Sequence, residues 1–279
     1  MPNSNLYDYL QETLAYLRQR TDQRPRFGLI LGTGLSGLAD QLTDTVAIDY
    51  ADIPHFPVST VTSHRGQLLF GQLAGIPVVA LAGRFHYYEG YSMEELTFPT
   101  RVLAQLGIER LLISNAAGSV NPAFEAGDIV FIRDHINFMG ANPLRGHNDE
   151  RLGPRFPDML KTYDAVLNQQ ALLLAKEQGI RAHTGIYLGL QGPNLETPAE
   201  YQMFHRLGAD VIGMSTVPEV LVAKHMGVPL FVLSVVSNKC YPLEAIKEVS
   251  VEEVIAVVES VTPDVERLVL GMLRQLVDA

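Results

Sequence analysis

QGPNLETPAEYQMFHRLGADVIGMSTVPEV, Gln191 to Val220, holds in one run the alternation that decides the fold. The apolar segment before it, Tyr187 to Leu190, reads as a buried strand that Gly192 and Pro193 end. Thr197 followed by Pro198 reads as an N-cap and a first-turn proline, so a helix opens there and AEYQMFHRLG continues it. DVIGMS is then a strand again, and VPEVLVAKHMG, running past Val220, is a second helix. Strand, helix, strand, helix is the pattern of an α/β domain. It leaves one acid, Glu196, at a strand-to-helix corner, where such proteins present ligand-reading groups beyond the strand ends. A solvated loop carboxylate is the alternative for a single acid in that place.

Towards the N-terminus, Leu6, Tyr9, Leu10, Leu14 and Leu17 have helical spacing and FGLIL at 27–31 is a short apolar strand. LGTGLSG follows, with Gly32, Gly34 and Gly37 in GxGxxG spacing and a short helix expected from Leu38. Its backbone N–H groups suit a phosphate. With Asp49 and Asp52 downstream, the same spacing supports a rival reading, a dinucleotide-binding oxidoreductase; a plain tight turn is the third. LLFGQLAGIPVVAL reads as two strands around a Gly-containing turn, preceded by His64 in SHRG. Beyond it Arg84, His86 and Tyr88 alternate, so in extended backbone they share a face suited to an oxyanion. Alternatively Arg84 pairs with an acid such as Glu89 and His86 caps a strand.

MEELTFPTRVLAQL reads as a helix bent near Pro99, and RLLISNAAGS as a strand entering a small-residue loop at Ala116, Ala117 and Gly118. DIVFIRD is a strand, and His135 to Pro157 is a long polar loop of the kind that tends to be functional. A helix at about 162–178 and a strand at 184–190 lead back to the opening stretch. PLFVLSVVSN is a strand stopping at Asn238, and an amphipathic helix with a bend at Pro263 closes the chain. Strand ends at 115, 215 and 238, with the corner at 196, are where a doubly wound sheet gathers a site.

The 279 residues, 47% hydrophobic and 19% charged, read as one domain spanning 1–279, without repeats or linkers. A net charge of −10 argues against nucleic acid or an anionic membrane as partner. MPNSNLYDYL has no basic segment leading an apolar core, and no apolar run approaches the about 18 residues of a membrane span, so a cytoplasmic protein is expected. The single cysteine, Cys240, excludes an internal disulfide and a multi-cysteine metal site, and reads as a small buried apolar residue.

LGTGLSG, SHRG, AGRFHYYEGY, SNAAGS, DHINFMGANPLRG, GPNLETPAE, GADVIGMSTVPEV and SNK, in this order from about residue 27 to 240, resemble the trimeric purine nucleoside phosphorylase family of 6-oxopurine type. The resemblance implies a three-layer α/β/α domain whose central mixed sheet partly closes into a barrel. It also implies a homotrimer and reversible phosphorolysis of purine nucleosides to free base and ribose 1-phosphate, with phosphate as co-substrate and neither metal nor organic cofactor. Carried over by position, Thr33, His64, Arg84, Phe85, His86, Ala116 and Ser215 match the phosphate site. Tyr88 and Met214 match ribose contacts, Glu196 and Asn238 the purine readers, and Phe156 the aromatic that a neighbouring subunit lends. Glu196, Asn238 and His86 are the expected catalytic residues.

The chemistry suits these residue types. Breaking a glycosidic C–N bond builds positive charge on the sugar and negative charge on the departing purine, and prearranged groups must meet both. A carboxylate at 196 accepts from N1–H of guanine or hypoxanthine, whereas adenine presents a lone pair there. Two positions depart from the family. Val251 stands where a histidine commonly contacts the ribose 5′-hydroxyl; related methylthioadenosine phosphorylases are apolar there too, so 5′-modified nucleosides are an alternative substrate class. Leu195 stands where an aromatic residue often precedes the acid.

Overall fold

FGLIL is apolar throughout because both of its faces are covered, as parallel strands inside an α/β sheet require. Phe27, Leu29 and Leu31 pack into one buried cluster, while Ile30 packs into another on the opposite face. The structure, a computed structural model, describes residues 5–32, 37–58 and 65–278; Thr33, Gly34 and His64 lie outside them. In chain order the elements are α1 (Leu6–Arg18), β1 (Phe27–Leu31), α2 (Gly37–Asp40), β2 (Thr43–Asp49), β3 (Gln67–Leu73), β4 (Ile76–Ala82), α3 (Met93–Gln105) and β5 (Arg110–Ser119). There follow β6 (Ile129–Asn137), α4 (Ala165–Glu177), β7 (Ala182–Gly189), α5 (Pro198–Arg206), β8 (Val211–Gly213), α6 (Val217–His225), β9 (Leu230–Lys239) and α7 (Val251–Asp278).

The strands form one nine-stranded mixed sheet in the order β2-β3-β4-β1-β5-β8-β7-β6-β9, and β9 pairs back onto β5. Five strands, β5, β8, β7, β6 and β9, therefore close into a ring, and the other four extend from β5 as an open wing. This is the partly closed mixed sheet that the resemblance implied. β5 borders β1 from Arg110 to Ile113, then borders β8 at Gly118 and Ser119 after a register shift against β9 between Ala117 and Gly118. That irregularity lets one strand serve both parts of the sheet. Gly118 is required there, because a Cβ on it would lie 2.7 Å from Cys240 Sγ.

One face buries residues of α1, α3 and α6, including Leu14, Leu103 and Val220; the other buries Leu174 of α4 and Leu268 and Leu273 of α7. Each such side chain, fully withdrawn from water, stabilises the fold by roughly 1.5–3 kcal/mol. Several expectations shift. SNAAGS is the end of a strand rather than a loop, because it pairs in parallel with β9. β6 runs on to Asn137, so the long loop starts at Phe138. Pro99 and Pro263 lie inside α3 and α7, which continue through them. No helix among the described residues is long and apolar enough to cross a membrane.

Candidate active site

At the carboxyl ends of β1, β4, β5 and β9 the sheet opens into a cavity of about 420 Å³ lined by Arg84, His86, Tyr88, Ala116, Glu196, Met214, Ser215 and Asn238 together. Parallel strands that stop together leave backbone ends and following loops around a common crevice. The guanidinium and the corner acid thus face one space.

Arg84 anchors one end. It is 2% exposed, and its Nη1 donates to Ser215 Oγ at 2.8 Å and Thr216 Oγ1 at 3.1 Å, its Nη2 to the Ser114 carbonyl at 2.7 Å. Its Nε lies 3.3 Å from Glu219 Oε1, and that carboxylate, in the first turn of α6, is itself buried. A buried cation is tolerable only with such pairing. Thr216 has φ +70, costly for a β-branched residue, and sits where its Oγ1 also accepts from Asn115 Nδ2 at 3.0 Å. Strain and hydrogen bonds together hold the guanidinium still.

Arg84, His86 and Tyr88 reach the cavity by another route than expected: β4 ends at Ala82, and Tyr87–Glu89 form a 3-10 turn. His86 Nδ1 lies 2.9 Å from Glu89 Oε1, and the His86 backbone N–H donates to the same oxygen at 2.7 Å. A carboxylate only accepts, so Nδ1 carries a proton and the ring orientation is fixed. Glu89 therefore serves His86, not Arg84. Tyr88 stacks on His86 with ring centroids 4.7 Å apart. Burial first, then Glu89, pushes its phenol up to about 12, which keeps it a neutral hydroxyl.

Glu196 and Asn238 form the other end. Thr197 caps α5 as its sequence announced, its Oγ1 accepting from Glu200 N–H while Glu200 returns the bond in a capping box, and this fixes the corner. Desolvation raises the Glu196 carboxyl above its ordinary value; its own backbone N–H and the Tyr201 side chain pull the other way, and Glu200 adds to the rise. Asn238 Oδ1 accepts from Ser237 Oγ at 2.7 Å, and its Nδ2 donates to Cys240 Sγ at 3.2 Å. Gly192, with φ +66, permits both the turn and the approach of Met214, whose Sδ would collide with a Cβ there.

A third wall is Val249, Ser250, Val251 and Val254. Ser250 Oγ accepts from Glu253 N–H at 3.2 Å at the start of α7 and keeps its own O–H to donate; the three valines offer only hydrocarbon. Leu195 lies in the lining beside Glu196.

Two named residues stand apart. The Phe85 ring is in the core against Tyr50 and Tyr91, so only its backbone is at hand. Phe156, 87% exposed, projects from the long loop and is absent from the cavity lining. Position 115 stood out in the sequence only as a strand end, and Thr216, Glu219, Tyr201 and the polar role of Cys240 did not stand out. An acid inside the apolar run VPEVLVA was the available signal for Glu219; nothing local marked the others.

Among the described residues the dinucleotide arrangement is not built. α2 has four residues, and β2, carrying Asp49, pairs antiparallel with β3 at the far side of the wing instead of lying parallel beside β1. Gly32 has a packing reason: a Cβ on it would lie 2.6 Å from the Ser114 carbonyl.

Residues 26–274 match the profile of a family described as Phosphorylase superfamily. Purine nucleoside phosphorylase 1 of Geobacillus stearothermophilus is 47% identical over 267 residues, covering 96% of this chain and 97% of that protein. Purine nucleoside phosphorylase of Anopheles gambiae is 52% identical over 239 residues, covering 84% of this chain and 68% of that one. Isoform 2 of the Schistosoma mansoni purine nucleoside phosphorylase, solved with cytosine and ribose-1-phosphate, superposes with a TM-score of 0.91 at 38% identity, covering 95% of each chain.

Proposed function

The chain belongs to the phosphorylase superfamily, and from that premise we propose that it is a purine nucleoside phosphorylase. It cleaves 6-oxopurine nucleosides and deoxynucleosides such as inosine and guanosine with inorganic phosphate, giving free base and ribose or deoxyribose 1-phosphate. The observation that carries this reading is the single cavity with a buried guanidinium at one end and a carboxylate and an amide at the other.

Phosphate sits under the sugar, held by Arg84, His86, Ser215 and the Ala116 amide, with Thr33, His64 and the Phe85 backbone completing the set. As the bond from C1′ to the purine stretches, its electron pair moves onto the base and a phosphate oxygen bonds C1′ from the opposite face, inverting it. The phosphate charge offsets the developing oxocarbenium. Asn238 Nδ2–H donates to N7 of the leaving purine, and ionised Glu196 accepts from N1–H. Tyr88 and Met214 pack the ribose. Hydrogen bonds to charged groups of this sort contribute about 1.5–3 kcal/mol each, and alignment of the two substrates about 7 kcal/mol or more.

Incubating the protein with inosine is expected to release hypoxanthine only when phosphate is present, followed by the absorbance change of the free base. Release without phosphate would make it a hydrolase; no release would remove the reading altogether.

The apolar wall at Val249, Val251 and Val254 favours a second substrate range, nucleosides modified at the 5′ position. With Ser250 the one hydroxyl among Val249, Val251 and Val254, 5′-deoxyinosine is expected within about threefold of inosine in kcat/KM if that hydroxyl takes no part, whereas a lost hydrogen bond to the 5′-hydroxyl would cost about tenfold. A tenfold preference for inosine would assign the 5′-hydroxyl a polar partner.

A homotrimer, in which Phe156 would meet a neighbouring copy's cavity, belongs to the same reading, supported by the exposure of the Phe156 ring. So do a cytoplasmic setting, supported by the lone reduced cysteine, and the absence of nucleic-acid partners, supported by the net charge of −10. Metal and organic cofactor have no part in the proposed reaction.

A further inference from the structure

Arg101, in α3, is a buried cation with no part in the proposed reaction. It is 3% exposed, and its Nε and Nη1 are sealed from water with no hydrogen-bond partner among the described residues. Nη2 is therefore the nitrogen left to meet a small cavity of about 70 Å³, which Arg101 lines together with Glu94, His225 and loop residues from Pro143 to Asp149. This cavity shares no lining residue with that of Arg84 and Glu196. We propose that it is a second anion site, holding one small monovalent anion such as chloride, nitrate or formate against the Arg101 guanidinium. The proposal stands apart from the purine reading.

Charge is the first reason. A guanidinium withdrawn from water needs acceptors and an opposite charge in contact with it. Arg84 has both. Desolvation lowers the Arg101 pKa to about 10, and Glu94, which also lines the cavity, opposes this through its charge without accepting a hydrogen bond from Nε or Nη1. Asp149 is already taken by Arg151, whose Nε donates to its two oxygens at 2.8 and 3.1 Å. Arg145 adds a further guanidinium to the wall. His225 is neutral at neutral pH, because desolvation and then Arg101 lower its pKa, and His147 is exposed to solvent. Arg101, Arg145 and Arg151 thus stand against Glu94 and Asp149, leaving one positive charge in excess. A monoanion balances that excess, whereas a dianion would meet repulsion from Glu94.

Size is the second. A water needs about 10–15 Å³ of such space, so the cavity admits an ion of a few heavy atoms and excludes a sugar phosphate or nucleotide. Water alone would give Nη2 an acceptor and leave its charge unmatched. The walls are held in place as well. An amide oxygen only accepts, so His225 Nε2 donates to Asn148 Oδ1 at 3.2 Å, while Asn148 Nδ2 donates to the Gly153 carbonyl at 3.1 Å. These bonds pin the loop to the end of α6. Gly153 passes so close that a Cβ on it would collide with the His225 carbonyl. An anion on Arg101 would then bridge α3 to this loop.

The test records thermal midpoints of the parent protein, Arg101→Met and Glu94→Gln while sodium bromide replaces sodium glutamate at constant ionic strength; bromide fits the cavity and glutamate does not. The parent midpoint is expected to rise by about 2–4 °C and level off, as when a site in the native state fills. Arg101→Met is expected to show no such rise and, in glutamate, to melt no lower than the parent, because a hydrocarbon chain of similar length needs no counter-charge. Glu94→Gln removes the opposing charge and is expected to reach the plateau at about three- to fivefold less bromide. In crystals grown with bromide, its anomalous signal is expected beside Arg101. A rise of equal size in the parent and Arg101→Met would put the ion elsewhere, and water in place of bromide beside Arg101 would make the cavity an ordinary solvent pocket; either result overturns the proposal. If Arg101→Met does not fold, Glu94→Gln decides it, since an unchanged bromide dependence in that variant is equally fatal.

Discussion

Glu196→Gln is expected to cut kcat/KM for inosine by roughly a hundredfold or more while leaving that for adenosine within a few-fold. The carboxylate offers two acceptor oxygens to the N1–H edge of a 6-oxopurine; glutamine offers one neutral acceptor and a donor with nothing to meet it. Guanosine should suffer more than inosine, since its 2-amino group would face the new NH2. The variant should also lose a pH feature of the parent. Desolvation raises the Glu196 carboxyl, so the acceptor form present at neutral pH is lost as pH falls through a value above that of an exposed glutamate. Activity of the parent on inosine should therefore decline on that acid limb, and the glutamine variant should lack it. Steady-state kinetics with inosine, guanosine and adenosine over a pH series measure all three effects. Unchanged inosine kinetics in the variant would take Glu196 out of base recognition.

Glu219→Leu is expected to cost about 3–5 kcal/mol of stability, although Glu219 is absent from the cavity lining. Its carboxylate stands 3.3 Å from Arg84 Nε with both side chains nearly sealed from water, at 5% and 2% side-chain exposure. Removing it leaves a cation in a low-dielectric setting without the opposite charge that made burial bearable. Pairing the change with Arg84→Met should recover most of the lost stability, because two hydrocarbon side chains fill the space without a desolvation penalty. The double variant should still use phosphate poorly, with a fall of about two to three orders of magnitude in kcat/KM for phosphate, as expected when an anion-holding donor is removed. Urea unfolding and phosphate titration separate these effects. Equal stability of the single and double variants would mean that the ion pair contributes nothing to the fold.

What could be read from the sequence was what local chemistry decides. The corner at Glu196 was legible because Thr197, Pro198 and Glu200 make a cap from adjacent residues, and the hairpin of β3 and β4 because Gly75 marks its turn, where Gly75 and, less expectedly, Ala74 take positive φ. The ring was not written in any segment. Its closure depends on β5 meeting β9 from more than a hundred positions away, and the resemblance, not the periodicity, pointed to it. SNAAGS illustrates the limit: Ala and Gly have weak strand preference, and only the partner strand makes those residues extended. Tyr201 looked like one more apolar position in a helix, and Cys240 like a filler. Thr33 and His64 carry expectations that fall outside the described residues.

The ring has a further consequence, at the other end of the sheet. Because β9 turns back onto β5, one margin is consumed, and among the described residues β2 is the strand that ends the sheet. That remaining border is polar, TDTVAID, largely solvated, and interrupted between Thr43 and Val46, where Asp44 takes φ +51. Charge and a broken ladder are what discourage another chain from adding a strand. Concentrated solutions of this protein thus meet an obstacle to cross-strand aggregation at the strand that ends its sheet.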